Sequence, residues 1–342
     1  MSAFLDACRR KPSTHTPIWL MRQAGRYQAS YQAIRSKVSF LELCKTPDLA
    51  CQVTVDAVEQ LGVDAAIIFA DILLVLDPLG IDFDFEKGHG PKIYNPVRDA
   101  KAIDAMPETI DAEASLGYVM EAIRLVRRAI DVPLIGFSAA PFTLAAYAIE
   151  GGGSKSYYET KQLMYGDEGA WKVLMTKVAD ALALYLRAQV DAGAQALQLF
   201  DSWVGILSPA DYERYVAPYT KRIFDALSDV DVPTLHFGTG NPELLVPMQE
   251  VGGDVIGVDW RIDLGDAWDR LGGPEETAVQ GNLEPAMLLA PVDVMKAAAD
   301  EVLKSAGGHP GHIFNLGHGI MPTATVDQVR ALVDHVHEKT SR

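Results

Sequence analysis

Cysteine is scarce in this chain. Cys8, Cys44 and Cys51 are the only three in 342 residues, with no C-x-x-C pair and no even set at framework spacing. That excludes a disulfide scaffold and fits free thiols in a reducing compartment. Positive charge is also in short supply: 30 Lys and Arg face 46 Asp and Glu, a formal net charge of -16. Such a surface repels phosphate backbones and anionic headgroups, which argues against nucleic-acid or membrane partners. Any anionic substrate must then be met by a local cluster of arginines or backbone N–H groups. Long apolar runs are missing too. The most membrane-like stretch, residues 65–81, is broken by Asp71 and Asp77 and falls short of the ~20 residues a spanning helix needs. The N-terminal MSAFLDACRRKPS carries no apolar signal core. A soluble cytoplasmic protein is expected, and with no linker, repeat or low-complexity tract to divide it, a single domain over residues 1–342.

What is present is a rhythm. Short, nearly continuous apolar runs occur at residues 17–21, 65–69, 133–137, 196–200, 233–237, 255–259, 277–281 and 312–316, as strands buried on both faces of a parallel sheet should. Helical periodicity fills most of the intervals, at 48–61, 114–129, 170–191, 210–227, 291–305 and 325–338. Thr46-Pro47, Ser208-Pro209 and Thr325 supply start signals. Eight strands alternating with helices predict an α/β fold, a (β/α)8 TIM barrel whose active site lies at the C-terminal ends of the strands.

The residues just past those ends carry the candidate chemistry. After the first run, Arg22-Gln23-Ala24-Gly25-Arg26 places two guanidinium groups four residues apart, with Arg35 following; such groups stay charged and grip carboxylates bidentately. The bland alternative is pairing with Glu42 or Asp71. Asp71 itself follows the second run, either as a working carboxylate or as the cap of a helix beginning near Ile72. Tyr147 lies ahead of the Gly151-Gly152-Gly153 loop, a flexible rim loop by expectation, since no phosphate-loop pattern surrounds it. Ser202 follows the fourth run without a nucleophile-elbow motif, so it reads as a hydrogen-bonding hydroxyl. Among eight histidines, His318 after the eighth run has the best context. His236 reads equally as core, His309 and His312 belong to the stability end, and His335 and His337 to a solvated helix face. No H-E-x-x-H or Cys/His cluster indicates a metal.

Together, MRQAGRY, IIFADIL, PLIGFSAAPFTLAAYAIEGGGS, GAQALQLFDSW, GVDW, QGNL and NLGHGI resemble the uroporphyrinogen decarboxylase family in its own order, across residues 17–320; LFDSW and HFGTG resemble its bacterial branch. The resemblance implies loss of four acetate carboxyls as CO2 from uroporphyrinogen III to give coproporphyrinogen III, in haem and tetrapyrrole biosynthesis, without cofactor or metal, by a homodimer. It implies that Asp71 is the central carboxylate facing the pyrrole N–H groups and that Arg22 and Arg26 hold substrate carboxylates. Gln23, Ala24 and Gly25 would line the same loop, and Tyr147, Ser202 and His318 would complete the site, with Arg35 a neighbour. Corrinoid-dependent methyltransferases are similar to this family but use H-x-C and a later cysteine as zinc ligands. Here His236 is followed by Phe237-Gly238, and Cys51 is the last cysteine.

Overall fold

The computed structural model describes residues 2–86 and 90–342. Among the described residues nine strands are formed: β1 (Ala66–Ile67), β2 (Phe83–Glu86), β3 (Gly90–Ile93), β4 (Leu134–Ala139), β5 (Ala196–Asp201), β6 (Thr234–Gly238), β7 (Val255–Gly257), β8 (Ala278–Leu283) and β9 (His312–Leu316). Seven of them make one parallel sheet in the order β1-β4-β5-β6-β7-β8-β9, and β2 and β3 pair as a separate antiparallel hairpin. Every residue of β4, β8 and β9 is buried, which explains why these runs read as continuously apolar rather than alternating.

The sheet is strongly curled, and one hydrogen bond proves it. Gln280 Nε2 on β8 donates to Gln198 Oε1 on β5 at 3.1 Å, although three strand spacings of about 4.8 Å would hold them apart in a flat sheet. Trp19 Nε1 joins the same interior chain, donating to Gln280 Oε1 at 2.9 Å.

The expected first strand, residues 17–21, is not a strand. It makes a single parallel bridge, Ile18 to Phe314 of β9. The segment nonetheless touches both edges of the sheet: Phe314 N–H donates to Pro17 C=O at 2.8 Å, and Asp64 N–H, just before β1, donates to Ile18 C=O at 2.8 Å. A regular ladder is lost because Leu20 and Met21 N–H turn to side chains, Gln23 Oε1 and Asn315 Oδ1.

The helices expected at 48–61, 114–129, 170–191, 291–305 and 325–338 are present with small shifts at their ends. Ser208 and Thr325 cap as expected, accepting from Asp211 and Gln328 N–H. The one expected over 210–227 is two, Pro209–Tyr215 and Ala217–Ala226, because Pro218 lacks an N–H and crowds the preceding turn. The triple-glycine loop is pinned rather than free: Ile93 N–H donates to Gly151 C=O at 2.9 Å and Gly152 bridges Lys92. Gly152 sits at φ 152°, with an added Cβ only 2.6 Å from Pro91 C=O, so the close crossing admits glycine alone.

Candidate active site

Asp71 stands four residues past β1, where the chain leaves the sheet for a short 3-10 turn, Leu74–Leu76. Its Oδ1 accepts the Leu73 N–H at 2.9 Å, so part of the capping alternative is real. The carboxylate is set deep in protein mass yet keeps a solvent-facing edge. Burial pushes its pKa up to about 6, against the Leu73 N–H and the charge of Arg22. A carboxyl tuned this close to neutrality is a common mark of a functional group.

Arg22 leaves the Pro17–Met21 segment at φ 63°, in the left-handed region, at a cost of roughly 1–2 kcal/mol for a residue with a Cβ. That conformation turns its side chain across the seam onto Gly319, where an added Cβ would lie 2.5 Å from Arg22 Cδ. Arg22 and Arg26 are both exposed, and among the described residues neither makes an ion pair. The structural alternative, pairing with Glu42 or Asp71, is therefore absent. Glu42 instead completes a capping box with Ser39.

Around this pair the other candidates gather unevenly. His318 sits on the strand-end loop beside Arg22. Burial, then the Arg22 and Arg261 charges, pull its pKa down to about 4. Its Nδ1 accepts the Gly319 N–H at 2.7 Å, leaving Nε2–H as a neutral donor. Tyr147 stacks on Trp203 with ring centroids 3.6 Å apart; burial, Asp71 and Tyr157 hold its phenol protonated. Ser202 is half-buried and makes no hydrogen bond among the described residues. Gln23 is buried, its amide bonded to Leu20 N–H and Ala65 C=O, so it holds the loop to the base of β1. Arg35 donates to Val38 C=O and lies over Phe40.

Several residues at the mouth, noted only as following strand ends, had no role assigned from the sequence. Asp201, at the end of β5, is fully buried; Oδ1 accepts Thr143 Oγ1–H at 2.7 Å, and Oδ2 has no partner among the described residues. Burial pushes this carboxyl up to about 7, with the Thr143 hydroxyl opposing. Thr143 Oγ1 in turn accepts Trp203 N–H at 3.2 Å, fixing the ring on which Tyr147 stacks. On the far side Arg261 lies over Trp260 at 3.9 Å and pairs with Asp259 at 2.5 Å. Position after a strand was the available signal for all of them, but an Asp next to a candidate Ser does not announce its partner 58 residues away.

The histidines of the last helix overturn their expected role. His335 is buried against Asp300 at 2.8 Å, and His337 is bonded to Asp64 at 2.8 Å, because this face of the helix packs inward. His236 is a core residue. Its Nδ1 lies 3.3 Å from Met248 C=O, and burial lowers its pKa to about 4.

With a carboxyl of raised pKa under the charge of Arg22, comparison with known proteins becomes decisive. The family model for uroporphyrinogen decarboxylase (URO-D) matches residues 1–339. The chain belongs to the uroporphyrinogen decarboxylase family. It is 53% identical over 336 residues to the uroporphyrinogen decarboxylase of Sorangium cellulosum, covering 98% of this chain and 95% of that one. It is 52% identical over 340 residues to that of Carboxydothermus hydrogenoformans, covering 99% and 96%. Among solved structures, a methyltransferase from Methanosarcina mazei superposes with a TM-score of 0.82 at 20% identity, covering 98% of each chain. At that identity the likeness is one of fold, and it extends an α/β architecture common to decarboxylase and methyltransferase types. The buried His236 and the absence of any later cysteine keep a methyltransferase zinc set from being formed here. Among the described residues no helix is long and apolar enough to cross a membrane.

Proposed function

We propose that this chain decarboxylates the four acetate arms of uroporphyrinogen III to coproporphyrinogen III, as a single-domain, cytoplasmic, homodimeric enzyme needing neither cofactor nor metal. The observation that carries the reading is Asp71, its pKa raised to about 6, under the charge of Arg22, which makes no ion pair among the described residues. In this reading the Pro17–Met21 segment is the eighth stave that closes the curled sheet into a barrel. Its support is the hydrogen bonds it makes to both sheet edges and to the interior Gln280.

Losing CO2 from an acetate on a pyrrole leaves a carbanion that needs an electron sink. Protonating the adjacent ring carbon makes a cationic, iminium-like ring that supplies one. A fixed Asp71 carboxylate accepts the pyrrole N–H groups and stabilises that growing positive charge. Arg22 and Arg26 hold substrate carboxylates, and the loop Gln23-Ala24-Gly25 lines the entry between them; here Gln23 contributes backbone, its side chain being buried. Tyr147, Ser202 and the Nε2–H of His318 donate hydrogen bonds to the remaining arms. As a general acid His318 is weak at neutral pH, since its imidazole is already neutral. A guanidinium is weaker still. Burial also holds the Tyr147 phenol protonated, so in this reading the proton comes from a bound water.

The test is direct. Chelator-dialysed protein incubated anaerobically with uroporphyrinogen III is expected to release four CO2 per ring and to yield the tetracarboxylate. No release, or release restored only by zinc or a corrinoid, defeats the reading.

A further inference from the structure

A second constellation stands at the opposite end of the sheet. His15 precedes the Pro17–Met21 segment, Asp64 precedes β1, and His337 lies on the C-terminal helix Val326–Thr340. His15 Nε2 is 2.8 Å from Asp64 Oδ1, and His337 Nε2 is 2.8 Å from Asp64 Oδ2. The two imidazoles meet edge to face at 4.8 Å. The ligand atoms of all three residues lie within 4.8 Å of one another, although His15 and His337 stand 49 and 273 residues from Asp64 in the chain.

We propose that His15, Asp64 and His337 bind a divalent transition-metal ion of the zinc class, which clasps the first and last parts of the chain together. Two imidazole nitrogens and one carboxylate form a donor set that suits such ions, and three protein ligands leave a fourth position for water. Ligand atoms about 2.0–2.1 Å from a tetrahedral ion lie roughly 3.3–3.5 Å apart, so each 2.8 Å contact need open by only about half an ångström. The side chains are 23%, 16% and 30% exposed, enough for an ion to enter and keep a water.

The surrounding shell fits the same occupant. The ion takes the Nε2 lone pair, so the ring proton of each neutral imidazole resides on Nδ1 and nothing is oxidised or reduced. For His15 an acceptor already stands there, Thr14 Oγ1 at 3.0 Å, the kind of outer partner that orients a metal-bound histidine. Ile18 N–H donates to Asp64 Oδ2 at 2.8 Å and fixes the carboxylate. With the ion absent, the same three side chains hydrogen-bond to each other, so the fold forms either way.

The full-length protein, stripped with chelator, is titrated with zinc chloride by calorimetry without substrate, and with cobalt(II) as a spectroscopic probe. One equivalent of zinc is expected, with affinity falling ten-fold or more in His15→Gln, His337→Gln and Asp64→Asn, each checked for native circular dichroism. The cobalt spectrum of the unaltered protein is expected to show nitrogen and oxygen ligation. No uptake, uptake unchanged in the folded variants, or a thiolate-to-cobalt band assigning the ion to Cys51 overturns the site and leaves a hydrogen-bonded clasp.

Discussion

The two ends of the curled sheet treat charge in opposite ways. Near the N-terminal ends of the strands two carboxylates are well supplied with donors. Asp64 accepts from His15, His337 and Ile18 N–H, and Asp254 accepts from both the N–H and the hydroxyl of Thr234. Burial pushes Asp64 up, yet these donors hold its carboxyl below the usual range. At the C-terminal ends Asp71 and Asp201 are raised by burial, and among the described residues Asp201 leaves one oxygen unpartnered and Arg22 and Arg26 make no ion pair. Carboxyls raised by burial beside guanidinium groups without a carboxylate partner are a common mark of a functional site. The contrast separates a stabilising end from a working end more sharply than the strand count does.

The largest way to break the contrast is Asp71→Asn. Asparagine preserves the Leu73 hydrogen bond and the shape, so thermal stability is expected to hold or rise above pH 6, while kcat falls about 10²–10³-fold, about 3–4 kcal/mol of lost electrostatic stabilisation. A stable, fully active variant would reduce Asp71 to a turn cap. At the other end Asp64→Ala removes the acceptor of three donors and is expected to cost about 3 kcal/mol of stability, read by denaturant melts, with kcat of the folded enzyme unchanged. A loss of kcat there would blur the two ends.

Asp201→Asn sharpens the comparison through pH. A carboxyl whose folded pKa is raised binds its proton more tightly in the native state, so stability falls as pH rises from about 4 through about 7 and then levels. The Tm of Asp201→Asn relative to the parent protein should therefore climb between pH 5 and pH 8, by an amount equivalent to roughly 2 kcal/mol. A pH-independent difference would mean that Asp201 titrates normally. The smallest effect belongs to Arg26→Ala. With no ion pair to lose, its Tm is expected to stay put while KM for the octacarboxylate rises about 30-fold, about 2 kcal/mol for one charge-assisted contact, and its salt dependence flattens.

Much of this was legible in the amino-acid string. The buried strands announce themselves because both faces are apolar, and Asp71 and His318 stood out because they follow strand ends, as Arg22 follows the Pro17–Met21 segment. The Pro17–Met21 segment misled because its apolar residues are buried as a strand's would be, while its N–H groups serve Gln23 and Asn315 side chains. His335 and His337 misled because a helix packed on two neighbours hides polar residues when acids such as Asp300 and Asp64 wait for them. The β2–β3 hairpin went unseen because FDFE and GPKI are short, charged strands outside the main sheet. Asp201 and Trp203 were in plain sight, but their link through Thr143 is a long-range hydrogen bond that no local pattern encodes.

The seam between Arg22 and Gly319 bears on how the protein comes into being. Ile320 N–H donates to Met21 C=O at 2.8 Å, and Met21 N–H donates to Asn315 Oδ1 at 3.1 Å. One wall of the mouth is thus synthesised well before the other. While the chain emerges from the ribosome, Arg22 has no Gly319 to lie on and Trp19 no Gln280 to reach. Partial chains can stack strands in order, since neighbours in sequence are neighbours in the sheet. The Arg22–Arg26 loop meets its partners only when the last strand docks, so a nascent or C-terminally clipped molecule carries these arginines without that support.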